Sequence, residues 1–255
     1  MNRFDFNFHW AYRCAGLIVA AMESLTQPAL VTGANRGLGA ALVFALLDRG
    51  ARKVYAAVRD LTTAPVDERV VPLVLDLTDP QQIAAAAEAA VDVALLINNA
   101  GDAAFAPLLE APREAIEREI ATNVLGTLDV IRAVTPNMAA GGTVVNILSL
   151  LSLAAAPGMA GYSASKAAAH SMTQALRPPL AAREINVVGV YPGAIDTDML
   201  AAVQMPKASP RAVAEAILDG VLAGERDIYP DPMAAEMSLV WRTDPRAFEH
   251  RFAAL

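Results

Sequence analysis

Tyr162 and Lys166 stand four residues apart in Tyr162-Ser163-Ala164-Ser165-Lys166, a spacing that puts a phenol and an ammonium on one face of a helix. A phenol can give a proton to an alkoxide, and a nearby cation favours that by lowering the phenol's pKa from its ordinary value of about 10. Far upstream, residues 33–39 read Gly-Ala-Asn-Arg-Gly-Leu-Gly, after a strand-like run ending at Thr32 and before a helix-like one. Glycine lets the backbone turn where a Cβ would clash, and the free N–H groups of a helix start carry partial positive charge, so this order describes a cradle for a pyrophosphate. The two motifs together point to hydride-transfer chemistry on a bound dinucleotide.

Residues so far apart in sequence need a scaffold that folds them together. The chain has 255 residues, 55% hydrophobic and 18% charged, which suits one domain with a large core. A net charge of −7 argues against nucleic acid or an anionic membrane as partner, so any attraction for a phosphorylated cofactor must come from a few local arginines. The single cysteine, Cys14, rules out an intramolecular disulfide. With the scattered His9, His170 and His250 it makes no zinc cluster, so no metal is expected and a reducing cytoplasm fits.

Runs rich in branched apolar residues at 54–58, 70–75, 91–97, 143–148 and 185–191 read as buried parallel strands. Between them, 40–49, 80–90, 112–138 with Asn123 inside, and 162 to about 183 read as helices. The alternation predicts an α/β fold, a doubly wound parallel sheet of Rossmann type, in a single domain over 25–255. Pro178-Pro179 should kink or end the last helix. Residues 1–24 do not continue the pattern and read as an extension, disordered or upstream of a natural start at Met22. A signal peptide fits poorly, because Asp5 sits in the would-be charged region and the apolar stretch falls far short of the ~20 residues of a membrane span.

Thr32-Gly33-Ala34-Asn35-Arg36-Gly37-Leu38-Gly39, Asp76, Asn98-Asn99-Ala100-Gly101, Asn123, Ser149, Tyr162 with Lys166, and Pro192-Gly193 with Thr197 follow one another at telling intervals. In order and spacing they resemble the short-chain dehydrogenases/reductases of the compact single-domain branch. The glycine spacing differs from the G-x-G-x-x-G of other dinucleotide folds and is similar to that family's own. The resemblance implies an oxidoreductase interconverting a small-molecule carbonyl and a secondary alcohol. Tyr162 would donate the proton, Lys166 would serve the phenolate and the cofactor ribose, Ser149 would hydrogen-bond the substrate carbonyl, and Asn123 would hold a water in the proton relay. It further implies that Gly33, Asn35, Arg36, Gly37, Leu38, Gly39, Asp76, Asn99, Ala100, Gly101, Tyr162, Lys166, Pro192, Gly193, Ile195 and Thr197 bind cofactor, and that the chain forms a homodimer or homotetramer.

Plainer readings stand beside these. Ser149 and Asp76 could each cap a turn, Asn123 could bond neighbouring backbone, and Ser152 is a rival to Ser149. Ser163 to Lys166 also satisfies S-x-x-K, but the S-D-N and K-T-G motifs of that enzyme class are missing from the sequence. A non-catalytic nucleotide-sensing protein on the same fold would be expected to have lost Tyr162 or Lys166.

Cofactor choice is legible in two arginines. About 20 positions beyond the glycine loop, where NAD-selective folds carry an acid for the ribose 2′-OH, stands Arg59. Arg36 lies within the loop itself, and two guanidiniums suit a 2′-phosphate, so NADP(H) is expected over NAD(H). Asp60 is the neighbour that could pair with Arg59 instead. On the substrate side, 199–206 offers Leu200, Val203 and Met205 as apolar contacts over an open pocket. The tail from 227 onward, with Trp241, Phe248 and Phe252, could face that pocket or another subunit.

Overall fold

The computed structural model describes residues 25–254, so the expected extension lies outside the described residues. Parallel strands β1 (Ala29–Thr32), β2 (Val54–Val58), β3 (Val70–Val74), β4 (Leu95–Asn98), β5 (Thr143–Ile147), β6 (Asn186–Val190) and β7 (Asp227–Ile228) form one sheet in the order β3-β2-β1-β4-β5-β6-β7. The chain winds outward from β1 to β3 and then returns to place β4 on the other side of β1. That reversal opens a crevice beyond the carboxyl ends of β1 and β4, where ligands bind in sheets of this kind.

Helices cover both faces, which is why most of the strands are apolar throughout instead of alternating. On one face α1 (Gly37–Asp48) and α6 (Pro210–Leu222) bury Leu42, Leu46, Val213 and Ile217 against Val31, Ala56 and Ile97. On the other, α2 (Pro80–Ala89), α4 (Thr127–Val134) and α5 (Ala160–Ala181) bury Ile83, Val130, Ile131 and Leu180 against Leu30, Leu96 and Val144. A third cluster joins Leu148, Leu150 and Tyr191 to α7 (Pro232–Thr243) and α8 (Pro245–Ala253) through Met237, Phe248 and Phe252. The tail therefore packs within its own chain, beside the ends of β5 and β6.

Three expectations need correction, and one group of elements had none. The run at 91–97 yields a strand only from Leu95, because Val91 is exposed and Asp92 turns outward to Lys53 and Tyr55. The helix expected over 112–138 is divided into α3 (Arg113–Ile120), a π turn at Ala121–Gly126 carrying Asn123, α4, and a 3₁₀ turn at Thr135–Asn137. The prolines at 178 and 179 do not break α5, which continues to Ala181. They fall in its last turn, where only the carbonyls of Gln174 and Ala175 lose an intrahelical donor. Finally, β7, α6, α7 and α8 were not foreseen, although α6 to α8 open like α2, with a Ser or Asp N-cap followed by proline.

Candidate active site

Ser149 lies two residues beyond the end of β5 in extended conformation, and its Oγ accepts the Leu151 N–H at 3.0 Å. Ser152 Oγ in turn accepts the Ser149 N–H at 3.1 Å. This reciprocal cap fixes the 3₁₀ turn Leu150–Ser152 and commits Ser152 to backbone, while the Ser149 hydroxyl also hydrogen-bonds the phenol of Tyr162. Tyr162 sits in the first turn of α5. Lys166, one turn further on and buried, donates to the Ile147 carbonyl at 2.7 Å and lies 5.7 Å from the centre of the Tyr162 ring.

The electrostatics differ from the sequence expectation. Burial pushes the Tyr162 phenol up to about 12, against a downward pull from the Ser149 hydrogen bond and with a further push from the Glu119 carboxylate. Burial likewise draws Lys166 down to about 8. Loss of hydration outweighs the attraction expected between phenolate and ammonium, whose Nζ is bonded to a backbone carbonyl. Near neutrality both groups therefore hold their protons.

Asn123, in the π turn, donates from Nδ2 to the Asp102 carbonyl and to Ser165 Oγ, both at 2.8 Å, and its Oδ1 accepts the Asp102 N–H at 2.8 Å. Its side chain thus ties the loop after β4 to α5, and Gly101 of that loop lies against both Asn123 and Lys166. Glu119 was not anticipated. Fully buried on α3, it accepts the Ala104 N–H at 2.7 Å, and burial, with the charge of Asp102, raises its carboxyl pKa. Arg118-Glu119 reads in sequence as an ordinary charged helix face, so no signal marked it.

At the other end of the crevice, Gly33 and Gly37 have φ of +65° and +52°, the left-handed region that favours glycine. Helix α1 opens after an extended Arg36 that offers no side-chain cap, and its first turn contains no acid. Its leading N–H groups thus have no side-chain acceptor, which fits a pyrophosphate. Leu38 and Gly39 are buried beneath this turn and Asn35 is exposed. Asn99 Nδ2 bonds the carbonyls of Thr32 and Gly33, while Thr32 Oγ1 accepts the N–H groups of Asn99 and Ala100. Asn98 on β4 donates from Nδ2 to Asn146 Oδ1 on the adjacent β5 at 2.8 Å. Thr197 packs on Gly37, Ile195 forms a bridge with Ala208, and the Pro192 carbonyl accepts the Leu150 N–H at 3.1 Å.

The rim carries the arginines. Asp76 Oδ1 accepts from the N–H and hydroxyl of Thr78, so this carboxylate does cap a turn, and those bonds, aided by Arg59, lower its pKa. Asp60 is likewise turned to Thr62. Among the described residues no carboxylate lies within ion-pair distance of the exposed Arg59. Arg36 is paired with Asp198 at 2.7 Å.

Residues 27–208 match the family model described as short chain dehydrogenase. The chain belongs to the short-chain dehydrogenase family. Among relatives, D-erythrulose reductase of Gallus gallus is 37% identical over 180 residues, 67% of this chain and 72% of that one. Sorbitol dehydrogenase of Cereibacter sphaeroides is 35% identical over 181 residues, 67% and 71% of the two chains. A short chain dehydrogenase from Burkholderia cenocepacia J2315, solved in complex with NADP, is 43% identical with a TM-score of 0.84, covering 89% of this chain and 97% of that one. As a short-chain dehydrogenase the chain is an oxidoreductase acting on alcohol or carbonyl groups. Among the described residues no helix is long and apolar enough to cross a membrane, and no cluster of His, Cys, Asp and Glu could hold a metal.

Proposed function

We propose that this short-chain dehydrogenase interconverts a small-molecule carbonyl and its secondary alcohol using NADP(H) in preference to NAD(H), with Tyr162 and Lys166 moving the proton. The observation that carries this reading is the convergence of the Ser149 hydroxyl, the Tyr162 phenol and the Lys166 ammonium beside the loop that also frames the glycine cradle. The cofactor supplies or receives the hydride. Ser149 Oγ accepts from Leu151, and its own proton, directed at the Tyr162 phenol, turns to the carbonyl oxygen when substrate binds. Tyr162, kept protonated by burial, gives its proton to the alkoxide, and Lys166, charged below about pH 8, stabilises the phenolate left behind. Asn123 holds the loop over Lys166 in place.

For the cofactor, support comes from Arg59 and Arg36 at the rim, from the absence of an acid where a 2′-OH would be held, and from the NADP complex of the Burkholderia relative. The test is consumption of NADPH against NADH by the purified protein with a reactive diketone as acceptor. NADPH oxidation with a higher kcat/KM than NADH is expected. Preference for NADH refutes the cofactor assignment, and tight NADPH binding without turnover across a carbonyl panel would favour a nucleotide-sensing protein instead.

A further inference from the structure

The C-terminal segment reaches the site through one carboxylate. Strand β7 pairs with β6 in the register Gly189↔Asp227 and Val190↔Ile228. The same offset of 38 residues continues past the last paired strand residues: Tyr191 stacks on Tyr229 with centroids 5.1 Å apart, and the Gly193 N–H donates to Asp231 Oδ2 at 2.8 Å. Asp231 is only 5% exposed. Its other oxygen, Oδ1, accepts the Ala234 N–H at 2.9 Å and caps α7. A Cβ on Gly193 would lie 2.8 Å from Oδ1 and 3.0 Å from Met233, so this position is glycine because the carboxylate fills its side-chain space.

The Asp-Pro caps of α2 and α8 serve only their own helices. Asp79 bonds Gln81 and Gln82 of α2, and Asp244 bonds Ala247 of α8. Asp231 alone among these three also binds a different element, and that element is the Pro192-Gly193 turn. On its far side the turn is held by Leu150, next to Ser149, through the Pro192 carbonyl. Three strand ends are thus laced in a row, with Ser149 at one end and Asp231 at the other.

We propose that Asp231 is a positioning residue of the reaction, holding the Pro192-Gly193 turn at the distance from Ser149 that the cofactor and substrate require. This rests on the function proposed above. A buried carboxylate accepting the Gly193 N–H fixes the turn, and small displacements of groups that hold reacting partners are costly in rate.

Two variants of the full chain separate positioning from capping. Asp231→Asn keeps an oxygen for the Ala234 N–H, since asparagine caps helices as well as aspartate does, but presents N–H to N–H at Gly193. Asp231→Ser recreates the Ser-Pro cap that Ser209-Pro210 already provides for α6 and is too short to serve both partners. With NADPH and a diketone, at a temperature where circular dichroism shows wild type and variants fully folded, kcat/KM should fall roughly 10- to 100-fold in both, on the scale expected for misplaced groups. Amide exchange at Gly193 should also accelerate. A purely structural cap predicts wild-type kinetics and exchange in Asp231→Asn, and that outcome overturns the proposal. Should wild type itself bind NADPH without turnover, the proposed function fails; the inference is then judged on NADPH affinity, which must weaken in both variants.

Discussion

Around Tyr162 the polar groups hold protein partners, with Lys166 on the Ile147 carbonyl, Asn123 on Asp102 and Ser165, and Ser149 on Leu151, whereas Arg59 at the rim stands in solvent. The contrast follows from burial. A polar group removed from water must be satisfied in the folded chain, so the proton end has to be assembled in advance. A rim arginine keeps its hydration until an anion arrives. Changes at the buried end should therefore act on rate and stability, and changes at the rim on cofactor selectivity and salt dependence.

The largest test of that division is Tyr162→Phe. Removing the general acid should lower turnover by about 10²- to 10⁴-fold while leaving cofactor affinity nearly unchanged. Stopped-flow reduction and fluorescence titration read the two quantities separately. Near-normal turnover in this variant would remove Tyr162 from the chemistry.

At the rim the expected effect is on choice. Arg59→Asp should cost NADPH roughly 10- to 100-fold in kcat/KM, as for loss of a hydrogen bond to a charged group, and shift preference toward NADH. Arg36→Ala should weaken NADPH alone. Because the rim is exposed, wild-type preference should shrink at high salt. Equal losses for both cofactors would show that the arginines shape the crevice instead of reading the phosphate.

Lys166 links chemistry to stability. Its folded pKa, near 8, lies below its unfolded value of 10.5, so between these values the unfolded chain holds a proton that the folded chain has released. Stability should accordingly rise with pH across about 8 to 10. Above 10 the sign reverses, because Tyr162, raised to about 12, stays protonated in the folded state after the unfolded phenol ionises. Lys166→Met should remove the rise, and the difference between the two proteins in urea unfolding should change by on the order of 1 kcal/mol per pH unit. A flat difference from pH 7 to 10 would mean that the ammonium is better solvated than its surroundings indicate.

How much of this was legible in sequence depended on whether a residue's role is local. The cradle, the Tyr162 and Lys166 pair, and the doubly wound alternation are written in short spacings, and the structure brings them to one crevice. Glu119 and Asp231 were opaque, since each takes its meaning from a distant backbone N–H, on Ala104 and Gly193. The π turn at Asn123 was hidden for a related reason: a helical run of suitable composition does not say where one extra residue per turn is accommodated. The α7 and α8 starts were visible as Asp-Pro pairs, yet their packing against Tyr191 and Leu150 could not be read without the register of β7.

The finest test of the contrast lies where the rim meets the segment over the substrate. Arg36 and Asp198 pair at 2.7 Å with side chains 64% and 71% exposed, and Thr197 beside them packs on Gly37. A 2′-phosphate must therefore share or displace a carboxylate at Arg36, a competition that Arg59 does not face. Exposed pairs of this kind are worth little, so Asp198→Ala should tighten NADPH by no more than about fivefold. The gain should be confined to low ionic strength and absent for NADH. If both cofactors improve equally, the change has come from loosening the 3₁₀ turn Asp198–Leu200 over the site. If NADPH alone improves, Asp198 sets the resting charge of the phosphate end, and the double variant with Arg36→Ala should erase the gain.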